Sequence, residues 1–181
     1  MSASVEFIPV NVAILTVSDT RTEDTDTSGK LLLDSVKEAG HQVADKQISL
    51  DDVYKIRAIV STWIAAPEVE VILITGGTGF SGRDTTPEAV QPLFDKYIEG
   101  FGELFRQISF NEIGTSTIQS RAVGGLANNT VIFCMPGSTN ACRTAWNGVI
   151  QQQLDSTHKP CNYVKLITGH RADAEACESR G

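Results

Sequence analysis

Largely apolar runs extend from Val10 to Val17, again from Val69 to Thr75, and again from Thr130 to Met135. Continuous runs of this kind, rather than strict alternation, predict strands covered on both faces. Between them the period changes. Leu31, Leu32 and Val36 fit the inner face of a helix from Ser28 through Ala39, with Ser28 as its cap and Gly40 as its stop. His41 to Ile48 predicts a second strand, and Val53, Ile56, Val60, Trp63 and Ile64 predict a helix capped by Ser49 or Asp51. Pro87 to Phe94 predicts a short helix. Gly100 to Phe110 predicts another, with Phe101, Leu104, Phe105 and Ile108 on one face, and Thr115 to Arg121 a further short one. Ala122 to Ala127 and Thr130 to Met135 flank the turn-favouring pair Asn128-Asn129, the signature of a hairpin. Ser138 to Asp155 closes the pattern as a helix. Strands alternating with helices predict an α/β fold of three layers, α/β/α, with a mostly parallel sheet and one β-hairpin.

Periodicity fades after Ser156. One domain is expected over 1–162, followed by a partly disordered tail over 163–181 that is small and charged near its end. A length of 181 residues fits one domain. No run approaches the roughly 20 apolar residues of a membrane helix, and no basic segment precedes Val10 as in a secretory signal. A cytoplasmic, membrane-free protein is expected.

The net charge of −7 argues against broad nucleic-acid binding, because no basic stripe is present to neutralise a phosphate backbone. An acidic chain that binds a polyanion needs local compensation from backbone dipoles, from Arg83 or from a cation. The four cysteines, Cys134, Cys142, Cys161 and Cys177, form no C-x-x-C pair, and the three histidines are scattered. A thiolate or imidazole metal site and a disulfide framework are both unexpected.

The most informative loop is TGGTGFSGRDTTPEA, Thr75 to Ala89, with four glycines, several hydroxyls, Arg83 and Asp84 directly after a strand. Such a loop offers backbone N–H groups to an anion, and its aspartate offers a ligand to a cation. Its G-x-G-x-x-G spacing satisfies the dinucleotide fingerprint only by chance, since no helix opens at the last glycine and no acidic strand end follows. The loops after Val17, Ile48, Thr75 and Met135 are expected to meet on one sheet edge. They bring Ser18 and Asp19, Asp51 and Asp52, Thr75 to Asp84, and Pro136-Gly137-Ser138. Each has a plain reading as a turn or cap: Asp51 and Asp84 as helix caps, Ser138 as an N-cap, Arg83 as a surface arginine. The functional reading adds a helix N-terminus at Ser138 that favours a phosphate. No histidine adjoins a candidate nucleophile. Anion cradles and carboxylates without a general base suit metal-assisted transfer of a phosphoryl or nucleotidyl group, where catalysis is mostly positioning and charge neutralisation.

Four segments together resemble a known family: VSDTRTEDTDTSGKLL, TGGTGFSGRDTTPEA, GFGELFRQISFNEIGTSTIQSRA and MPGSTNACRTAWNGVI. They are similar to the molybdenum cofactor biosynthesis proteins of the molybdopterin-binding superfamily, with Met135 to Trp146 pointing to the B-type branch. The resemblance spans about Phe7 to Asn162. It implies a molybdopterin-binding-like fold, molybdopterin as ligand, ATP as substrate and Mg²⁺ as activator. In the adenylyltransferase branch, the terminal phosphate of molybdopterin attacks the α-phosphorus of ATP and pyrophosphate leaves. The resemblance places a glycine loop on Thr75, Gly76, Gly77, Thr78 and Gly79, a catalytic aspartate on Asp84, and a phosphate-binding turn on Pro136, Gly137 and Ser138. It places a second acid, also a metal ligand, on Asp51 or Asp52, with Asp51 preferred. Ser18, Asp19 and Arg83 complete the expected phosphate site. A trimer or hexamer and contacts with other proteins of the pathway are implied as well. Three functions stay open: a molybdopterin adenylyltransferase, a non-catalytic carrier of molybdopterin, and an unrelated nucleotide or sugar-phosphate enzyme on the same fold.

Overall fold

A computed structural model describes residues 6–169. Six strands form one sheet in the order β2-β1-β3-β6-β5-β4. They are β1 (Asn11–Val17), β2 (Gln42–Ser49), β3 (Val71–Thr75), β4 (Lys96–Tyr97), β5 (Val123–Ala127) and β6 (Thr130–Met135). β2, β1, β3 and β6 run parallel, whereas β5 pairs antiparallel with β6 and β4 antiparallel with β5. The predicted hairpin is β5–β6. Asn128 and Asn129 both adopt positive φ (47° and 64°), the backbone that a tight turn between twisted strands demands. The two-residue edge strand β4 carries exposed Lys96 and Tyr97 and has no apolar run to announce it.

The continuous apolar strands serve two cores. Val12, Ile14, Val71, Leu73, Val131 and Phe133 face one side, packed with Leu32, Val36, Phe101, Phe105 and Trp146. Ala13, Leu15, Ile72, Ile74, Ile132 and Cys134 face the other, packed with Ile56, Val60 and Trp63. The helices behind these residues are α1 (Thr27–Glu38), α2 (Val53–Ala65), α3 (Thr86–Val90), α4 (Glu99–Ile113), α5 (Thr139–Ala145) and α6 (Gln151–Leu154). α5 and α6 are joined by one π-helical turn, Trp146–Ile150, so the helical stretch is continuous over 139–154. The predicted three layers are present.

Two caps differ from expectation. Asp26, not Ser28, caps α1, its carboxylate accepting from the Gly29 amide at 2.9 Å. Asp52, rather than Ser49 or Asp51, caps α2 by accepting from Tyr54 and Lys55. In both cases a carboxylate at the right offset satisfies the free helix amides. The region Thr115 to Arg121 is a 3₁₀ turn, Gly114–Gln119. Past residue 162, Val164 and Ile167 are buried in the first core, while the segment from Arg171 on lies outside the described residues. Among the described residues no helix is long and apolar enough to cross a membrane.

Candidate functional site

β1 sends its connection to β2 on one side and is flanked by β3 on the other, so the chain reverses its winding between β1 and β3. Ligand crevices in open parallel sheets form at such a point, beyond the carboxyl ends of the strands. Thr16 is in register with Thr75, and Thr75 with Met135, so the loops after these strands leave the sheet side by side. They open on a cleft of about 450 Å³.

Ten of the thirteen sequence-expected residues line it: Ser18, Thr75, Gly76, Gly77, Thr78, Gly79, Asp84, Pro136, Gly137 and Ser138. The glycine loop is built for close approach. Gly76 has φ +101°, and a methyl group there would lie 2.1 Å from the Val17 carbonyl oxygen. Gly77 has φ +65°, with Thr86 and Asp51 oxygens where its side chain would stand. Thr75 Oγ1 donates to the Pro136 carbonyl at 3.0 Å, and Thr86 Oγ1 to the Gly76 carbonyl at 2.8 Å. Ser138 caps the helical stretch that follows it, accepting from the Ala141 amide at 3.1 Å. Cys142 lies beneath this turn, 3.0 Å from Thr75 Oγ1, where burial pushes its thiol up to about 11. A thiol so placed is inert.

Asp84 folds back over Gly79 and accepts from the Ser81 amide at 2.8 Å. The Ser81 hydroxyl, helped by the Ser81 and Gly79 amides, holds the Asp84 carboxyl below its ordinary value against the effect of burial. It is therefore an anion at neutral pH. Asp51 and Asp52 part company: Asp52 caps α2, while Asp51 is buried behind the loop. Asp51 Oδ1 accepts from Thr85 N at 3.0 Å and Thr85 Oγ1 at 2.6 Å. No hydrogen bond reaches its Oδ2 from the described residues. Asp51, Asp19 and Arg83 do not line the cleft. Arg83 grips Asp19 through two bonds of 2.9 and 2.7 Å, and Asp19 Oδ1 also accepts from Asp51 N at 3.1 Å. The Arg83 guanidinium accordingly depresses the Asp19 carboxyl. These three residues brace the rim instead of meeting the cleft floor.

Among the described residues no group of three or more histidines, cysteines, aspartates or glutamates is placed to hold a metal ion. Mg²⁺ is often held by only one or two carboxylates with substrate phosphates completing its shell, and of the two acids expected for it Asp84 lines the cleft while Asp51 stands behind the loop.

The sequence profile of the probable molybdopterin binding domain family matches residues 13–156. The chain belongs to this molybdopterin-binding family. Molybdenum cofactor biosynthesis protein B of Escherichia coli K12 is 61% identical over 160 residues, covering 88% of this chain and 94% of that protein. The protein of the same name from Bacillus cereus is 50% identical over 146 residues, covering 80% and 86%. A crystal structure of a molybdenum cofactor biosynthesis protein B superposes with TM-score 0.79 at 49% identity, covering 81% of this chain and 92% of that one. The tungsten cofactor synthesizing protein MoaB of Pyrococcus furiosus superposes with TM-score 0.72 at 32% identity, covering 80% and 92%.

Within this molybdopterin-binding domain, three residues escaped the sequence reading. Arg121 clamps the glycine loop. Its Nε donates to the Gly79 carbonyl at 2.8 Å, Nη2 donates to the Asp84 carbonyl at 2.8 Å, and Nη1 pairs with Glu88. Its guanidinium also covers the ring of exposed Phe80, 5.3 Å from the centroid. Asp26 is fully buried beside the cleft residue Thr16, whose hydroxyl donates to it at 2.9 Å, with Lys46 Nζ at 3.0 Å. Glu112 lines the cleft from α4 and is held by Thr144 and Asn140 of the α5 helix. All three lie in segments that carried the family resemblance, but no spacing rule marks a residue that reaches across the fold.

Proposed function

We propose that this chain acts in molybdenum cofactor biosynthesis by binding molybdopterin in the cleft and adenylylating its terminal phosphate with Mg²⁺-ATP. The observation that carries the reading is the convergence, on one cleft at the switch point, of the Gly76–Gly79 loop, the Ser138 helix start and the ionised Asp84. The loop's unhindered main chain and the free amides of the helix start suit phosphate groups. Asp84 and Asp51 Oδ2 would hold Mg²⁺, which supplies charge neutralisation at the phosphates of ATP. The terminal phosphate of molybdopterin is already ionised and needs no base. One of its oxygens forms the new bond to the α-phosphorus of ATP as the bond to pyrophosphate breaks. The protein's part is to align the two phosphates and exclude water.

Pyrophosphate release from Mg²⁺-ATP with molybdopterin added tests this. Release is expected in the wild type and is expected to fall about 100-fold or more in Asp84→Asn, by the scale of losing one electrostatic partner of a transition state. Both Asp84→Asn and Asp51→Asn should also weaken the fold, the first because the Asp84 carboxylate holds Ser81 and the second because Asp51 holds Thr85. Molybdopterin binding with no nucleotide consumed would sink the catalytic reading. A carrier role without turnover is the second reading. The observation in its favour is that Asp84 lines the cleft while Asp51 stands behind the loop. Self-association is supported by exposed Leu104, Phe110, Ile113 and Ile118 around the end of α4, and sedimentation of wild type against Phe110→Ser tests it.

A further inference from the structure

We propose that Arg21 is the cation that binds the terminal phosphate of molybdopterin, an inference that rests on the cleft being the molybdopterin site. The cleft lining holds two carboxylates, Asp84 and Glu112, and among the described residues one cationic side chain, Arg21. Amides and hydroxyls around the glycine loop offer dipoles but no net charge. A phosphate monoester carries a charge of about −1.5 to −2 at pH 7, so a full positive charge beside it is what the dipoles leave wanting.

The loop after β1 keeps this guanidinium available. Ser18 Oγ accepts from the Thr20 and Arg21 amides at 3.2 Å each, which turns the chain at the cleft. Thr22 and Thr25 close the next turn, Thr25 N donating to the Thr22 carbonyl at 3.0 Å and Thr22 N to Thr25 Oγ1 at 2.9 Å. The Thr25 carbonyl accepts from Arg21 Nη1 at 2.9 Å. This tether fixes the long side chain in advance, which lowers the ordering cost of binding. The Nε and Nη2 groups take no partner among the described residues. They form the side edge on which a guanidinium makes paired bonds to phosphate oxygens. Acids of the same loop are occupied elsewhere: Arg83 holds Asp19, and Lys46 holds both Glu23 and Asp26. Arg21 itself makes no ion pair among the described residues. Arg83, by contrast, has its charge cancelled by Asp19 and does not line the cleft.

Two phosphate-bearing ligands meet in the proposed reaction, and charge tells them apart. ATP arrives as its Mg²⁺ complex, with a cation already beside its phosphates. The monoester brings none. Arg21 stands on the β1–α1 side of the cleft with Ser18 and Ser28, whereas Asp84 is fastened to the glycine loop by the Ser81 amide. The start of α1 is tied to the start of α5 by the Thr27 and Thr139 hydroxyls, 2.9 Å apart, which brings the loop of Arg21 alongside Ser138. Paired bonds from Arg21 to two oxygens of the monoester leave the third to form the new bond to the α-phosphorus of ATP as the bond to pyrophosphate breaks. Arg21 thus holds the attacking phosphate, and a phosphate of ATP is the competing source of the same chemistry.

The test compares two probes by pterin fluorescence, the phosphate monoester of 6-hydroxymethylpterin and unphosphorylated 6-hydroxymethylpterin, with Mg²⁺-ATP binding measured alongside by calorimetry. Wild type is expected to prefer the monoester by about 10-fold or more, the scale of hydrogen bonds to a charged group. Arg21→Gln is expected to remove most of that preference, while affinity for the unphosphorylated pterin and for Mg²⁺-ATP stays as in wild type. Arg21→Lys keeps the charge without the paired bonds and should restore part of the preference. Added salt should weaken the wild-type preference and leave that of Arg21→Gln unchanged, a pattern that merely holding the Thr25 carbonyl would not produce. An equal loss for both probes in Arg21→Gln overturns the assignment in favour of that loop-holding role. Weaker Mg²⁺-ATP binding with the monoester preference intact overturns it in favour of a nucleotide phosphate. Wild type that binds molybdopterin but shows no preference for the monoester overturns the role of Arg21 alone. Wild type that binds neither molybdopterin nor either probe overturns the proposed function with it.

Discussion

The sheet-edge wall of the cleft presents main chain, whereas the helical wall presents side chains. On the first, Gly76, Gly77 and Gly79 have neighbours standing where a side chain would be, and their carbonyls are claimed by Thr86 and Arg121. On the second, Glu112, Ile113 and Ser120 project from α4 and its following turn. The difference divides the labour. Phosphate groups are alike among many ligands, and a rigid array of backbone dipoles serves them all. A heteroaromatic ring has a particular edge, and only side chains can be matched to it. It follows that substitutions on the first wall should cost stability and activity together, while those on the second should change what is bound and leave the fold intact.

Gly76→Ala is the sharpest challenge to this division. Its methyl group would meet the Val17 carbonyl oxygen at 2.1 Å with φ at +101°, and the obstacle is backbone. A loss of about 3 kcal/mol or more is expected in urea unfolding, at the upper end of single substitutions. A stable, fully active Gly76→Ala protein would dissolve the comparison. Arg121→Ala comes next. It removes donors from the Gly79 and Asp84 carbonyls and frees Glu88, so a loss of about 1–3 kcal/mol is expected, the scale of bonds to a charged group. Nucleotide-dependent activity should fall further than pterin binding, since the clamp holds only the phosphate wall. Equal losses in both would mean that the two walls are mechanically coupled.

Acid probes the buried support of the first wall. Burial alone would raise the Asp26 carboxyl, but the Gly29 amide, Lys46 and the Thr16 hydroxyl together outweigh it and lower it below 3.8. A folded-state value below the unfolded one means that the unfolded chain takes up the proton first as pH falls. The stability Asp26 contributes is thus complete above pH 3.8 and is lost as pH drops through its folded value. Asp26→Asn should flatten that part of the acid unfolding curve, which circular dichroism can follow. The smallest effect is expected at Gly82, in the same loop. Nothing lies within 4 Å of a methyl group there, and φ is outside the positive range. Gly82→Ala should change stability by no more than about 0.5 kcal/mol. A large loss would show that the loop's glycines act as a set rather than by their individual surroundings.

The sequence by itself determined the alternation of strands and helices, because a strand buried on both faces needs an unbroken apolar run and an amphipathic helix needs a stripe. It determined the glycine loop too. Positive φ and close backbone approach leave few residue choices, so Gly76 and Gly77 are visible as letters. The hairpin turn at Asn128-Asn129 was legible for the same local reason. Tertiary structure decided which of several neighbouring polar residues takes each position. Asp26 and not Ser28 caps α1, and Asp52 turns outward while Asp51 is buried, since neighbouring residues with equal propensity are separated only by what packs beside them. It likewise tied Arg83 to Asp19 and brought Arg121 onto the loop across 37 residues of chain from Asp84. Such contacts depend on where the sheet order places distant segments, and side chains long enough to bridge them leave no period in the sequence.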